Sequence, residues 1–300
     1  MDYLEKTINN TYPHVFTTTI HESGELIFEF YKRGYKNKIR TTRSVTKSII
    51  STLYGIALQK GYLKNLDEKV ILYFPEYRTA KLDKNIGKVS FRHLLSMTSG
   101  IDCSDRQPKG FFRSRNWIKF YLERPILHEP GSKFNYSSAS SHLLSALLYK
   151  LTSLNVYDFA KAHLFGPLGI SQSNWSHDQQ GYYHGGFGLD LSSNSITKIG
   201  QLYLNGGTVS GMRLIPEAYI SEATSHQAAG GFPENDKYGY HWWLGSTPST
   251  NYYYAAGLGG QYLFIVPDYD LLVTITSDSR RPHIENKKIF TDIILPNYEV

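Results

Sequence analysis

Cysteine is nearly missing: Cys103 is the single one in 300 residues, so no internal disulfide can form, which suits a reducing compartment. With no supporting motif beside it, Cys103 is not read as a nucleophile. Long apolar runs are missing too. No stretch approaches the roughly 20 residues of a membrane span, and the start, MDYLEKTINN, has neither the basic opening nor the apolar core of a secretion signal. A soluble, cytoplasmic protein with no membrane partner is expected. Two familiar catalytic signatures are also absent. Gly207-Thr208-Val209-Ser210-Gly211 has the wrong spacing for a G-x-S-x-G elbow, and His184-Gly185-Gly186, with no elbow to serve, reads as a loop. Neither His21-Glu22 nor His128-Glu129 continues into a zinc-binding His-Glu-x-x-His, and the 11 histidines are scattered, so neither a metal nor another cofactor is expected.

Hydrophobic residues make up 41% and charged residues 19%, a globular composition without extended disorder. The net charge is +6, densest from Lys32 to Arg43. Tyrosines and glycines interleave there, as in a strand pair with solvated edges, so no nucleic-acid partner is expected.

Strand patterns stand at both ends of the chain. Val15 to Tyr31 is β-branched and aromatic, broken at Ser23-Gly24 as in a hairpin. Tyr238 to Leu244, Tyr252 to Ala256, Tyr262 to Val266 and Leu271 to Thr276 read as a meander. Between them, Val45, Ile49, Leu53 and Ile56 recur at helical spacing up to Gly61, a helix stop. Further helical patterns cover His142 to Leu151, Tyr157 to Leu164 and Ile196 to Leu204; Pro216 is placed to open another, and Ile284 to Leu295 to cover the sheet as a last helix. The expected class is α+β: an antiparallel sheet flanked by helices, formed from residues 1–60 and 190–300, with a mainly helical region, 61–189, inserted.

Three short elements carry chemistry. Ser44 and Lys47 are three apart at a helix start, so their side chains can meet. A buried lysine, its pKa lowered by desolvation, can activate a serine hydroxyl, and a serine in the first turn offers its N–H to an oxyanion at the positive end of the helix. The plainer alternative is an N-cap serine with a solvated lysine one turn on. Tyr136, in Phe134-Asn135-Tyr136-Ser137-Ser138 after a Pro130-Gly131 turn, is a candidate general base or acid, or else a packing residue. In Ala255-Ala256-Gly257-Leu258-Gly259-Gly260-Gln261 the glycines either let a ligand approach the backbone, with the Leu258 N–H as second oxyanion donor, or make a hairpin turn.

With these elements in this order, the sequence resembles the serine β-lactamase and penicillin-binding-protein-like superfamily, especially its class C-like esterases and amidases. The resemblance extends through Phe91-Arg92-His93-Leu94-Leu95-Ser96-Met97-Thr98-Ser99-Gly100, Leu164-Phe165-Gly166-Pro167-Leu168-Gly169-Ile170 and Tyr238-Gly239-Tyr240-His241-Trp242-Trp243. It implies a cleft for acyl-enzyme chemistry in which Ser44 is the nucleophile, Lys47 its activator, Tyr136 the general base or acid, and the N–H groups of Ser44 and Leu258 the oxyanion hole. Ser138, Gly257 and Gly259 are expected at the substrate.

Two departures stand out. Tyr136-Ser137-Ser138 replaces the family's usual Tyr-x-Asn, and Ala255-Ala256-Gly257 replaces a cationic triplet such as Lys-Thr-Gly. Losing that cation weakens the grip on a carboxylate by roughly one to two powers of ten. A small ester or amide is therefore the expected substrate, ahead of a β-lactam or D-amino-acid peptide, with a catalytically silent binding protein as the remaining reading. Trp175, Tyr182, Trp242 and Trp243 are candidate aromatic walls of the cleft or, equally, packing residues.

Overall fold

Alternating side chains in the last third of the chain decide the layering. In the computed structural model, which describes residues 2–280 and 285–299, thirteen strands form: β1 (Val15–Glu22), β2 (Glu25–Tyr31), β3 (Arg40–Thr41), β4 (Asn174–Trp175), β5 (Leu189–Leu191), β6 (Thr208–Val209), β7 (Met212–Arg213), β8 (Ala228–Gly231), β9 (Asp236–Tyr238), β10 (Trp243–Ser246), β11 (Asn251–Gly257), β12 (Gln261–Val266) and β13 (Leu271–Ser277). Eight of them make one sheet in the order β2-β1-β13-β12-β11-β10-β9-β8, and every pairing in it is antiparallel. Strands from early and late in the chain therefore build the same sheet.

The helices are α1 (Asp2–Thr11), α2 (Val45–Gln59), α3 (Phe91–Leu95), α4 (Trp117–Leu122), α5 (Ser138–Thr152), α6 (Val156–Ala160), α7 (Ser193–Leu204) and α8 (Glu217–Ala223). On one face of the sheet Tyr253, Ala255, Leu263 and Ile265 join a buried cluster with α2, α5 and α7. On the other, Tyr254, Ala256, Phe264 and Val266 pack with Leu4 and Ile8 of α1 and with Phe290 and Ile294 of a C-terminal π-helical segment, Ile289–Ile294. The period of two along β11 and β12 thus serves both faces of a covered sheet. The last expected helix is found from Lys287 onward, while its first residue, Ile284, lies outside the described residues.

Two expectations need correction. Helix α1 was not anticipated, although Leu4 and Ile8 lie on one side of it, four residues apart. Tyr238 to Leu244 is also not one strand: the chain leaves the sheet between β9 and β10. A Cβ on Gly239 would lie 2.1 Å from the Ala223 carbonyl oxygen, Tyr240 N–H donates to that carbonyl, and His241, at φ 59°, donates its N–H to Leu95. These contacts to α8 and α3 override the β-propensity of an aromatic run.

A small sheet, β3-β5-β4, fixes the approach to the site. Thr42 N–H donates to Leu189 O at 2.9 Å, tying the residues before Ser44 to those after Gly186.

Candidate active site

Arg43 sits at φ 51°, a left-handed conformation unusual for a side chain this large, and turns the chain sharply into α2. Ser44 occupies the N-cap position of α2, but its side chain makes no capping hydrogen bond. Lys47 is 1% exposed, which rules out the solvated lysine of the plainer reading. Its Nζ lies 3.2 Å from Ser44 Oγ, 3.0 Å from Ser138 Oγ and 2.9 Å from Gly186 O. The carbonyl oxygen of Gly186 can only accept, so it fixes one N–H of the amine. A neutral lysine that also donates to Ser138 has its lone pair left for the Ser44 hydroxyl, the arrangement of a general base. Burial lowers the Lys47 pKa to about 8, against the opposing charge of Asp105.

Tyr136 is buried, stacked on Trp243 with ring centroids 5.7 Å apart, and Lys47 Nζ lies 4.7 Å above its ring centroid. Burial, then the charge of Asp105, pushes its hydroxyl well above the usual phenol range, with the Ser44 hydroxyl opposing. Tyr136 is therefore a protonated phenol at neutral pH, suited to donating a proton.

Ser138 does not line the cleft where substrate was expected. It lies beneath, 4% exposed at the start of α5, donating its hydroxyl to Asp105 Oδ2 at 2.6 Å and its N–H to Asp105 Oδ1 at 2.7 Å. Asp105 was missed from the sequence: no motif surrounds it, and it arrives because its own N–H bonds to Tyr136 O at 2.9 Å. Gly186 was missed as well, read as part of a loop without a role. Its signal was the glycine pair itself, since a Cβ on Gly185 would lie 1.9 Å from Ser141 O and one on Gly186 2.7 Å from Ser138 Cβ. His241 is the third unanticipated neighbour; burial, then Lys47, lowers its pKa to about 3, so it adds no charge beside the amine.

Above this floor opens a cavity of about 790 Å³, bounded by Ser44, Asp105 and Tyr136 on one side and Gly257, Leu258, Gly259 and Gly260 on the other, with Phe232, Glu234, Tyr262 and Glu285 around it. Among the described residues, neither the Ser44 nor the Leu258 N–H has a hydrogen-bond partner, and both residues border this cavity. Gly257 is required for a reason other than ligand approach: a Cβ there would lie 2.4 Å from Thr42 O. The loop carrying Leu258 is thereby pressed onto the turn carrying Ser44. Gly259, at φ 84°, supplies a backbone conformation that an L side chain rarely adopts.

None of the four candidate aromatic walls borders the cavity, so the packing alternative holds for each. Trp242 packs on Tyr203 and Tyr253, Trp175 donates to His184 O, Tyr182 lies against Tyr149, and Trp243 stands behind Tyr136. Tyr136, Phe232 and Tyr262 are the aromatic lining instead. Among the described residues no group of three or more His, Cys, Asp or Glu side chains is arranged to hold a metal, and no helix is long and apolar enough to cross a membrane.

A family model described as Beta-lactamase matches residues 41–294. The N-acetylmuramyl-L-alanine amidase of Bacillus subtilis (strain 168) is 23% identical over 328 residues, covering 87% of this chain and 74% of that one. A solved Bacillus anthracis chain, provisionally named a 6-aminohexanoate-dimer hydrolase, superposes with a TM-score of 0.82 at 17% identity over 98% of this chain and 81% of its own. The octameric penicillin-binding protein homologue from Pyrococcus abyssi superposes with a TM-score of 0.76 at 17% identity over 99% of this chain and 76% of its own. At such identities the solved structures establish the fold alone.

Proposed function

Because the chain belongs to the beta-lactamase family, we propose that it is a serine hydrolase cleaving a small ester or amide through an acyl-enzyme on Ser44. One observation carries the reading: the buried Lys47 amine, which contacts Ser44 Oγ while two acceptors, Ser138 Oγ and Gly186 O, hold its N–H groups in place.

In this mechanism neutral Lys47 takes the Ser44 proton as Oγ bonds to the substrate carbonyl carbon, and the N–H groups of Ser44 and Leu258 receive the oxyanion. Collapse breaks the bond to the leaving group. Tyr136 protonates the departing amine or alcohol, and the proton taken from Ser44 restores the phenol. Water then adds to the acyl-enzyme, giving up a proton to the same base, and Ser44 leaves as a hydroxyl with release of the acid.

Ala255-Ala256-Gly257 lies in β11 with Ala255 inside the core, so this stretch offers no cation to a substrate carboxylate. That favours an ester or simple amide over a β-lactam or a peptide with a free C-terminus. The alternative, a D-amino-acid peptidase or β-lactamase, draws support from the description of the matching family model, Beta-lactamase.

Mass spectrometry after exposure to a fluorophosphonate and, separately, to penicillin tests both. Stable labelling of Ser44 by the fluorophosphonate alone is the expected result. Slowly reversed labelling by penicillin would transfer the assignment to the alternative. If neither reagent modifies the protein and it turns over no ester or amide, while Ser44→Ala stays folded and binds the same ligands, the hydrolase reading is wrong and a silent binding protein remains.

A further inference from the structure

The chemistry of the cavity lining narrows the substrate class, on the premise that Ser44 is the acylating nucleophile. The site itself is defined by that hydroxyl, the two N–H groups that have no partner among the described residues and the cavity they border. Its charge is one-sided. Asp105, Glu234 and Glu285 all line the cavity, and no lysine or arginine does among the described residues.

The three carboxylates differ in their partners. Lys287 lies 3.7 Å from Glu234 and Lys288 2.5 Å from Glu285, and neither lysine lines the cavity. Arg106 stacks on the Phe232 ring at 4.7 Å and likewise does not line it. Asp105 makes no ion pair among the described residues. It receives one bond on each oxygen, both from Ser138, and a carboxylate has about four acceptor positions. Half of its accepting capacity is left over.

Asp105 also stands close to the reaction. The path from Ser44 Oγ through Lys47 and Ser138 to its carboxylate is three hydrogen bonds long. A cavity walled by protein and lined with charge of one sign focuses the field on what enters it. A substrate carboxylate would meet three like charges there, whereas a cation would complete the coordination of Asp105.

We propose that the cleft selects esters or amides bearing an ammonium group a few bonds from the scissile carbonyl, with Asp105 as the ion-pairing residue and Glu234 and Glu285 supplying the surrounding negative field.

The test uses three p-nitroanilides whose acyl groups are close in size and differ in charge: β-alanyl, butanoyl and succinyl. Fluorophosphonate labelling of Ser44 is run in parallel. The β-alanyl compound is expected to exceed the butanoyl one in kcat/KM by about tenfold or more, with the succinyl compound slowest. That advantage should shrink with added salt and fall toward unity in Asp105→Asn. In case the variant loses turnover altogether, a wild-type measurement stands beside it: n-butylammonium is expected to compete with the butanoyl substrate, and butyrate not to. Ser44 labelling together with equal or reversed preference among the three anilides would overturn the inference and leave the hydrolase reading standing. Absence of both labelling and turnover would overturn both.

Discussion

The floor and the walls of the cleft are built on opposite terms. On the floor, Lys47, Ser138 and Asp105 are linked by hydrogen bonds, and the lysine and serine are almost wholly buried. On the walls, Leu258 is 51% exposed and the Ser44 and Leu258 N–H groups have no partner among the described residues. The floor prepares a proton acceptor by removing water from it, whereas the walls leave donors free for a charge that exists only during reaction. Satisfaction in one place and deliberate vacancy in the other are both needed for acyl transfer.

Breaking the floor should have the largest effect. Lys47→Ala is expected to lower kcat by about a hundredfold or more in steady-state assays of a small ester, with the fold retained by circular dichroism. Next comes the seam between floor and wall. Gly257→Ala drives a methyl group into Thr42 O, where the distance would be 2.4 Å. It should cost about 1–3 kcal/mol in thermal unfolding and lower kcat alongside, as the two oxyanion donors shift apart.

A smaller effect sharpens the electrostatics. In the proposed mechanism the neutral form of Lys47 is the active one, so kcat/KM should rise with pH through a limb near 8. The Asp105 charge holds that pKa up; Asp105→Asn should therefore move the limb to lower pH, read from a pH profile with a neutral substrate. The smallest effect is expected on the wall. Leu258→Ala keeps the N–H and trims a half-exposed side chain, so kcat should change by roughly twofold or less. A large loss there would assign a role to the side chain itself.

The same contrast governs what could be read from the sequence. Ser44 and Lys47 were legible because a helix makes residues three apart neighbours, and β11 and β12 were legible as short aromatic and β-branched runs between turn residues. Ser138 and Gly186 reach Lys47 from 91 and 139 positions away, and Asp105 reaches Ser138 from 33; no local period encodes such encounters. Glycines gave the nearest hint. Gly185, Gly186 and Gly257 each mark a close approach of one backbone to another segment, and only the partner was unknown. For the tryptophans the sequence left two readings open, a cleft wall or packing, and the structure takes the second. Trp242 has its indole N–H bonded to Tyr203 and is completed by the core.

The position of β13 has a consequence for how activity first arises. It lies between β1 and β12 in the sheet, so Val15 has its partner only when Ser277 has been made. During synthesis Ser44 and Lys47 emerge long before the strands that carry Leu258 into place and close the sheet around them. In the proposed mechanism a nascent chain would hold its nucleophile without an oxyanion hole, and acylating ability would be delayed until β13 has been made and paired.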